Sequence, residues 1–231
     1  MTAAPTADER QALAPTGRLR VGIYPGSPTR IVITELGKSL AECLGMAFEL
    51  VEFKTQGELL AAVGAGKVDF TGTNPSPARA GLMDFTATVL DIELGYLVVP
   101  GSPVSTLADV DRSGVRIGVT QGSTSQTTLP KLLTSATVVP VPTLKLAGEM
   151  LVARKIDAYA TNKAILVELA NGLSGARILE GRWGVEHWAV GIPKGREKGL
   201  GYLQKFTQMA RAEGLLNSAV EKSGLPGSVI P

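Results

Sequence analysis

The chain has 231 residues, of which 44% are hydrophobic, and its 23 basic and 21 acidic side chains give a formal charge of +2. That length can bury one substantial core or two small ones, and the composition excludes a disordered body. Acids and bases are interspersed without a Lys/Arg block, so no nucleic acid is expected as a partner, and no apolar run approaches the roughly 20 residues that span a bilayer, so no membrane insertion is expected.

Residues 1–16 are rich in Ala, Pro and Thr and lack both the basic and the apolar regions of a signal peptide. They read as a flexible segment. That composition suits the start of a mature exported chain whose signal has been removed and to which Met1 was added, and equally a chain that has no signal. A strand is predicted from Leu19, in LRVGIYPGSPT, running into a turn at Gly26 and Ser27 and a helix start at Thr29. The helical pattern that follows carries the single cysteine, Cys43, beside Leu40 and Leu44, where a buried inert thiol is expected. One Cys and one His, His187, exclude an internal disulfide and argue against a zinc site. No metal or cofactor is expected, and no phosphate-binding or dinucleotide motif is present.

GELLAA, from Gly57, opens an amphipathic helix, and KVDFTGTN, Lys67 to Asn74, is a strand ending in polar residues. These three blocks recur in the same order. VRIGVTQGSTS, Val115 to Ser125, matches the first, GEMLVA from Gly148 the second, and KIDAYATN, Lys155 to Asn162, the third. The spacing between copies shortens from block to block, so the loops differ in length while the order holds. The chain is therefore read as an internal duplication, each half alternating strand and helix, which gives a mainly parallel sheet with helices on both faces. YLVVPGS (Tyr96–Ser102) and WAVGIPKG (Trp188–Gly195) are apolar extended runs ended by Pro and Gly, and are read as two crossover strands. The expected fold is α/β, with two similar lobes joined by these crossovers: 17–95 with 190–231 as lobe 1, and 96–189 as lobe 2. The C-terminal pattern from Arg196 to Lys222 is helical, with Leu200, Leu203, Phe206 and Met209 on one face.

In open α/β sheets ligands bind beyond the carboxyl ends of the strands, where helix N-termini present unpaired N–H groups. The repeated blocks put polar residues at those ends: Gly26, Ser27, Thr29, Thr73, Asn74 and Ser76 in the first copy, and Gly122, Ser123, Thr124, Ser125, Thr161 and Asn162 in the second. Hydroxyls, amides and helix-start N–H groups suit a carboxylate or another small anion, although each Ser or Thr alone reads as an ordinary helix cap. Arg79, just after TNPSPA, can hold a carboxylate through two charge-assisted bonds or stand as a solvated surface residue.

At these residues the chain resembles the type II periplasmic binding proteins, in particular the family 3 extracellular solute-binding proteins of polar amino-acid ABC transporters. The first signature reads GKVDFTGTNPSPARAGLMDFT here, Gly66 to Thr86, and the second is Gly122, Ser123 and Thr124 opening a helix. The likeness extends from about Leu19 to about Leu216. It implies a periplasmic, monomeric substrate-binding component that closes two lobes on a small carboxylate-bearing solute, an amino acid or related organic anion, and delivers it to a membrane permease. It further implies that Arg79 and the Ser123–Thr124 helix start grip the carboxylate, that Thr73 lines the pocket, and that Tyr24 stands where relatives stack an aromatic on the ligand; core packing is the other reading of Tyr24. Three departures stand out. The family's Asp for the ligand ammonium is Asn162 here, the turn before Arg79 is shorter, and the Pro-Phe after the first strand is replaced by GSPTRIV. These open the ligand to anions without an ammonium, with Glu93 or Asp91 as the remaining acids near the crossover.

No catalytic residue is expected. The rival reading is a periplasmic lyase resembling cyclohexadienyl dehydratase, for which only Glu93, Asp91, Glu186 and His187 offer a general acid; a receptor sensor domain is the third. Trp183, His187 and Trp188 cluster before the second crossover, either walling a cleft or packing internally.

Overall fold

The structure is a computed structural model and describes residues 4–24, 27 and 29–231; Gly26 lies outside the described residues. In chain order the elements are α1 (Ala7–Leu13), β1 (Arg18–Ile23), α2 (Arg30–Leu44), β2 (Ala47–Glu52), α3 (Gln56–Gly64), β3 (Thr71–Thr73), α4 (Pro77–Ala80) and β4 (Met83–Val98). Then come β5 (Arg116–Thr120), α5 (Thr124–Leu132), β6 (Thr137–Val141), α6 (Leu144–Val152), β7 (Ala158–Asn162), α7 (Lys163–Asn171) and β8 (Arg177–Ile178). The chain ends with β9 (Gly184–Pro193), α8 (Glu197–Ala212), α9 (Leu215–Ser223) and β10 (Ser228–Val229). It divides into two compact units, Met1–Asp91 with His187–Pro231, and Ile92–Glu186. The divisions fall within β4 and β9, earlier than the limits read from sequence, because the Pro-Gly punctuation marks where those strands end.

In the first unit β1 and β2 pair in parallel from Arg18↔Ala47 to Ile23↔Glu52, and Val21 bridges Phe70 in parallel beside them. β3 pairs antiparallel with β9, Thr71↔Gly191 to Thr73↔Ala189. α2 buries Val32, Ile33, Leu36, Leu40 and Leu44, the stripe expected of an amphipathic helix. It comes close to β1 at Gly37, where a Cβ would stand 2.5 Å from Val21. Leu203 and Phe206 of the expected C-terminal stripe are fully buried, joined by Tyr202 and Ala210. The helical run there is broken in two by Gly214, whose φ of 77° suits glycine alone.

The segment 1–16 is corrected in part: Ala7–Leu13 is a helix, not flexible chain. Thr6 and Glu9 cap it reciprocally, and Leu13 and Ala14 are buried, Leu13 against Gly199 of α8.

In the second unit β5 lies between β6 and β7, parallel to both, and β4 adds antiparallel to β7, Leu94↔Asn162 to Leu97↔Tyr159. Alternation along the strands builds one core on each face. Ile117, Val119, Ala158 and Ala160 pack with Leu129 of α5. Tyr159 and Val141 pack with Ala147 and Leu151 of α6 and with Leu166 and Leu169 of α7. Among the described residues no helix is long and apolar enough to cross a membrane.

Candidate functional site

In the first unit the polar residues at the end of β3 converge on Arg79. Thr73 is buried in the strand, Asn74 leaves it, and Ser76 caps α4, accepting from the Arg79 amide at 3.3 Å, with Pro77 pre-set for the first helical turn. This brings the Arg79 side chain back over the strand end, where it is 7% exposed. Its Nη1 donates to Thr73 Oγ1 at 2.8 Å, to the Asn74 carbonyl at 2.9 Å and to Asn74 Oδ1. Two N–H groups serve these acceptors, so at least one hydrogen is shared, and the guanidinium is held at the strand end. Gln56, which the sequence reading missed, donates from Nε2 to Thr73 Oγ1 at 3.4 Å. Ser27 and Thr29 form a separate pair, hydroxyl to hydroxyl at 3.0 Å, and the Ser27 amide closes a turn on the Tyr24 carbonyl at 3.1 Å. Tyr24 is half-buried and packs against the cluster of Leu59, Val63, Val68 and Met83.

The second unit repeats that turn. The Ser123 amide closes on the Thr120 carbonyl at 3.1 Å, and Gly122 takes the left-handed φ of 75° that the turn requires. Ser123 then caps α5, its hydroxyl accepting from the Gln126 amide at 3.3 Å, while Gln126 Oε1 accepts from the Gly122 amide at 2.6 Å. The amides of Thr124 and Ser125 follow at the first helical positions; Thr124 is half-buried and Ser125 is buried. Thr161 and Asn162 end β7, both buried, and Asn162 Oδ1 caps α7 by accepting from the Ile165 amide at 3.0 Å. The side chain of Asn162 is therefore partly committed to holding its own helix.

The acids near the crossover strands are also engaged. Glu93 is paired with Lys163 and, at 3.1 Å, with Arg182, and the Lys163 ammonium holds its carboxyl below the usual range. Asp91 meets His187 Nδ1 at 2.7 Å on an exposed edge. Trp188 is buried with its ring where a Cβ on Gly72 would sit, and Trp183 Nε1 donates to the Gly95 carbonyl at 3.1 Å with its ring tilted beside Tyr96. Both tryptophans are packing residues in their own units. Among the described residues no group of His, Cys, Asp and Glu is placed to hold a metal ion.

No family model matches the sequence, and no curated protein matches it. Solved structures do. The solute receptor for L-cysteine of Neisseria gonorrhoeae is 22% identical with a TM-score of 0.77, the match covering 94% of each chain. An amino-acid ABC transporter substrate-binding protein of Streptococcus pneumoniae, bound to L-arginine, is 20% identical over 92% of this chain and 97% of its own, with a TM-score of 0.76. An ancestral amino-acid-binding protein, described as a precursor of cyclohexadienyl dehydratase, is 22% identical over 94% of this chain and 99% of its own, at the same TM-score of 0.76. At these identities the likeness shows the fold: the chain has the α/β fold of these amino-acid-binding proteins.

Proposed function

We propose that the chain is the substrate-binding component of an ABC-type importer, working in the periplasm as a monomer, and that it holds a small carboxylate-bearing solute between its two lobes for delivery to a membrane permease. The observation that carries this reading is Arg79: a buried guanidinium oriented by Thr73 and Asn74 at a strand end, in a fold used by amino-acid receptors. A buried Arg is costly unless its charge meets an oxyanion or several acceptors, and a planar guanidinium suits a carboxylate. The Gly122–Ser125 turn supplies neutral donors of the sort that complete an anion site. A role in binding rather than catalysis is supported by the engagement of Asp91 with His187 in a hydrogen bond and of Glu93 with Lys163 and Arg182 in ion pairs, which occupies these candidate general acids.

The test is a thermal-shift panel of amino acids, 2-oxo acids and dicarboxylates, followed by calorimetry on any that respond. A ligand at a hundredfold excess over Kd adds about 2.7 kcal/mol. For a chain of this size that raises the melting temperature by roughly 5–10 °C. A flat panel at millimolar concentration would sink the carboxylate reading, and turnover of a responding compound would replace binding by catalysis.

A further inference from the structure

At one pair of matched positions the duplicated blocks exchange residue types. In the first unit the strand end carries Tyr24 and the partner block carries Thr71; in the second the types are exchanged, Thr120 on β5 and Tyr159 on β7. Thr71 is short, and its hydroxyl donates to the Gly22 carbonyl at 2.8 Å. Tyr159 reaches further. It is fully buried, sits opposite Gly118 in the β5–β7 register, and its ring lies 3.0 Å from where a Cβ on Gly118 would stand. Ile156 comes closer still, at 2.5 Å, so the bare glycine leaves room for both side chains, and the phenol passes over it to Thr120 Oγ1 at 2.7 Å. Thr120 is the residue whose carbonyl receives the Ser123 amide, so one residue is tied both to the core and to the turn.

We propose that Tyr159 is a positioning residue for the anion-binding turn: its hydroxyl, reaching past Gly118, fixes Thr120 and thereby the Gly122–Ser125 donors. The inference rests on the binding role given above for that turn. Burial pushes the phenol pKa up, so the hydroxyl stays protonated across the physiological range and can donate. With Tyr159 donating, the Thr120 hydrogen is left as a further donor at the end of the strand. The ring and the hydroxyl have separable roles: the ring fills the core formed with Leu151 and Leu166, and the hydroxyl serves the turn.

Tyr159→Phe keeps the ring and removes the hydroxyl, and Thr120→Val removes the partner. Two measurements on the whole chain decide the matter. Amide exchange in the ligand-free protein is expected to quicken about tenfold at Ser123 and Gln126 in both variants, the loss of one hydrogen bond's worth of order, while core amides of β5 and β7 keep their protection. Titration with 2-oxoglutarate and with L-glutamate as probes is expected to show Kd raised about tenfold in each variant, with the double variant no weaker than the worse single one. Unchanged exchange at Ser123 and Gln126 in Tyr159→Phe overturns the positioning role, whichever probe binds. Quickened exchange with unaltered Kd for a probe that binds the parent overturns the link between the turn and the ligand. If neither probe binds the parent, the titration uses whichever compound responded in the thermal-shift panel, a flat panel being the failure of the proposed function, and the exchange measurement still decides whether Tyr159 positions the turn.

Discussion

Arg116 and Asp157 repeat in the second unit, bond for bond, the clasp that Arg20 and Asp69 make in the first. Each aspartate accepts from its arginine's backbone amide, Nε and Nη2, at 2.7–3.0 Å, and each arginine's Nη2 also donates at 2.7 Å to the carbonyl of a left-handed residue, Gly66 or Arg154. The clasp ties the first strand of each unit to the loop before the third block. The surroundings differ: Asp69 is fully buried and takes a second guanidinium, Arg196 at 2.6 Å, whereas Arg116 is 41% exposed.

Removing the carboxylate should therefore hurt the first unit more. Asp69→Ala leaves two guanidiniums without their counter-charge and is expected to cost about 3–5 kcal/mol. Asp157→Ala leaves a half-solvated one and should cost about 1–3 kcal/mol. Urea denaturation of the two variants checks the order, and equal losses would contradict it.

Asp111 supplies a pH dependence. Its carboxylate accepts from the amides of Thr134, Ala136 and Ser135 and from the Thr134 hydroxyl, which holds its pKa far below the usual carboxylate value. A depressed folded-state pKa means that the stabilisation is complete above the unfolded-state value, about 3.9, and is lost as pH falls towards the folded-state one. Asp111→Asn should thus melt lower than the parent at neutral pH, and the gap should shrink with acidification. A carboxyl carbon signal of Asp111 that titrates at about pH 4 would contradict the assignment.

Arg79→Ala is expected to weaken the bound carboxylate by about 2–5 kcal/mol, with Arg79→Lys recovering part of the loss because charge returns without the planar fork. Thr73 and Asn74 lose the guanidinium's donation at the same time, so the ligand-free variant should melt lower by an amount equivalent to about 1–3 kcal/mol. Calorimetry and a ligand-free melt separate the two effects. Unchanged affinity in the alanine variant would remove Arg79 from the site.

Asn162 caps α7, and aspartate is as good a cap, so Asn162→Asp should fold with stability altered by less than about 0.5 kcal/mol. The added charge supplies the ammonium partner that a neutral amide cannot. Paired titrations of L-glutamate and 2-oxoglutarate should then show selectivity moving towards the amino acid, and a move the other way would count against Asn162 as a ligand contact.

The duplication was legible because its residues act locally: Arg20 and Asp69 sit at fixed places in two short blocks, and their counterparts at the same places in the repeats. The strand-end polar groups were legible for the same reason, and so was the helix start at Ser123. Other features depend on registers and distant contacts that no local pattern carries. Thr120 and Tyr159 meet because Gly118 faces Tyr159 across two strands, and Gln56 reaches Thr73 from another element. The helix at Ala7–Leu13 is a mixed case. Thr6 and Glu9 stand at capping-box spacing, which the reading of residues 1–16 as flexible did not use, and the contact that holds the helix, Leu13 on Gly199, joins distant parts of the chain. Both Asp91 and Glu93 were visible as acids, while their partners His187, Lys163 and Arg182 were set by the fold.

The pairing of Asp69 with Arg196 also orders events in time. The two residues are 127 positions apart, and Arg196 belongs to the stretch after Glu186 that returns to the first unit. The second unit is one uninterrupted segment and has all its parts once residue 186 has been made. The first cannot close until the last helices arrive, because a fully buried carboxylate, the docking surface for α1 and the packing of α2 all wait for them. A growing chain therefore has every part of its second unit before it has every part of its first.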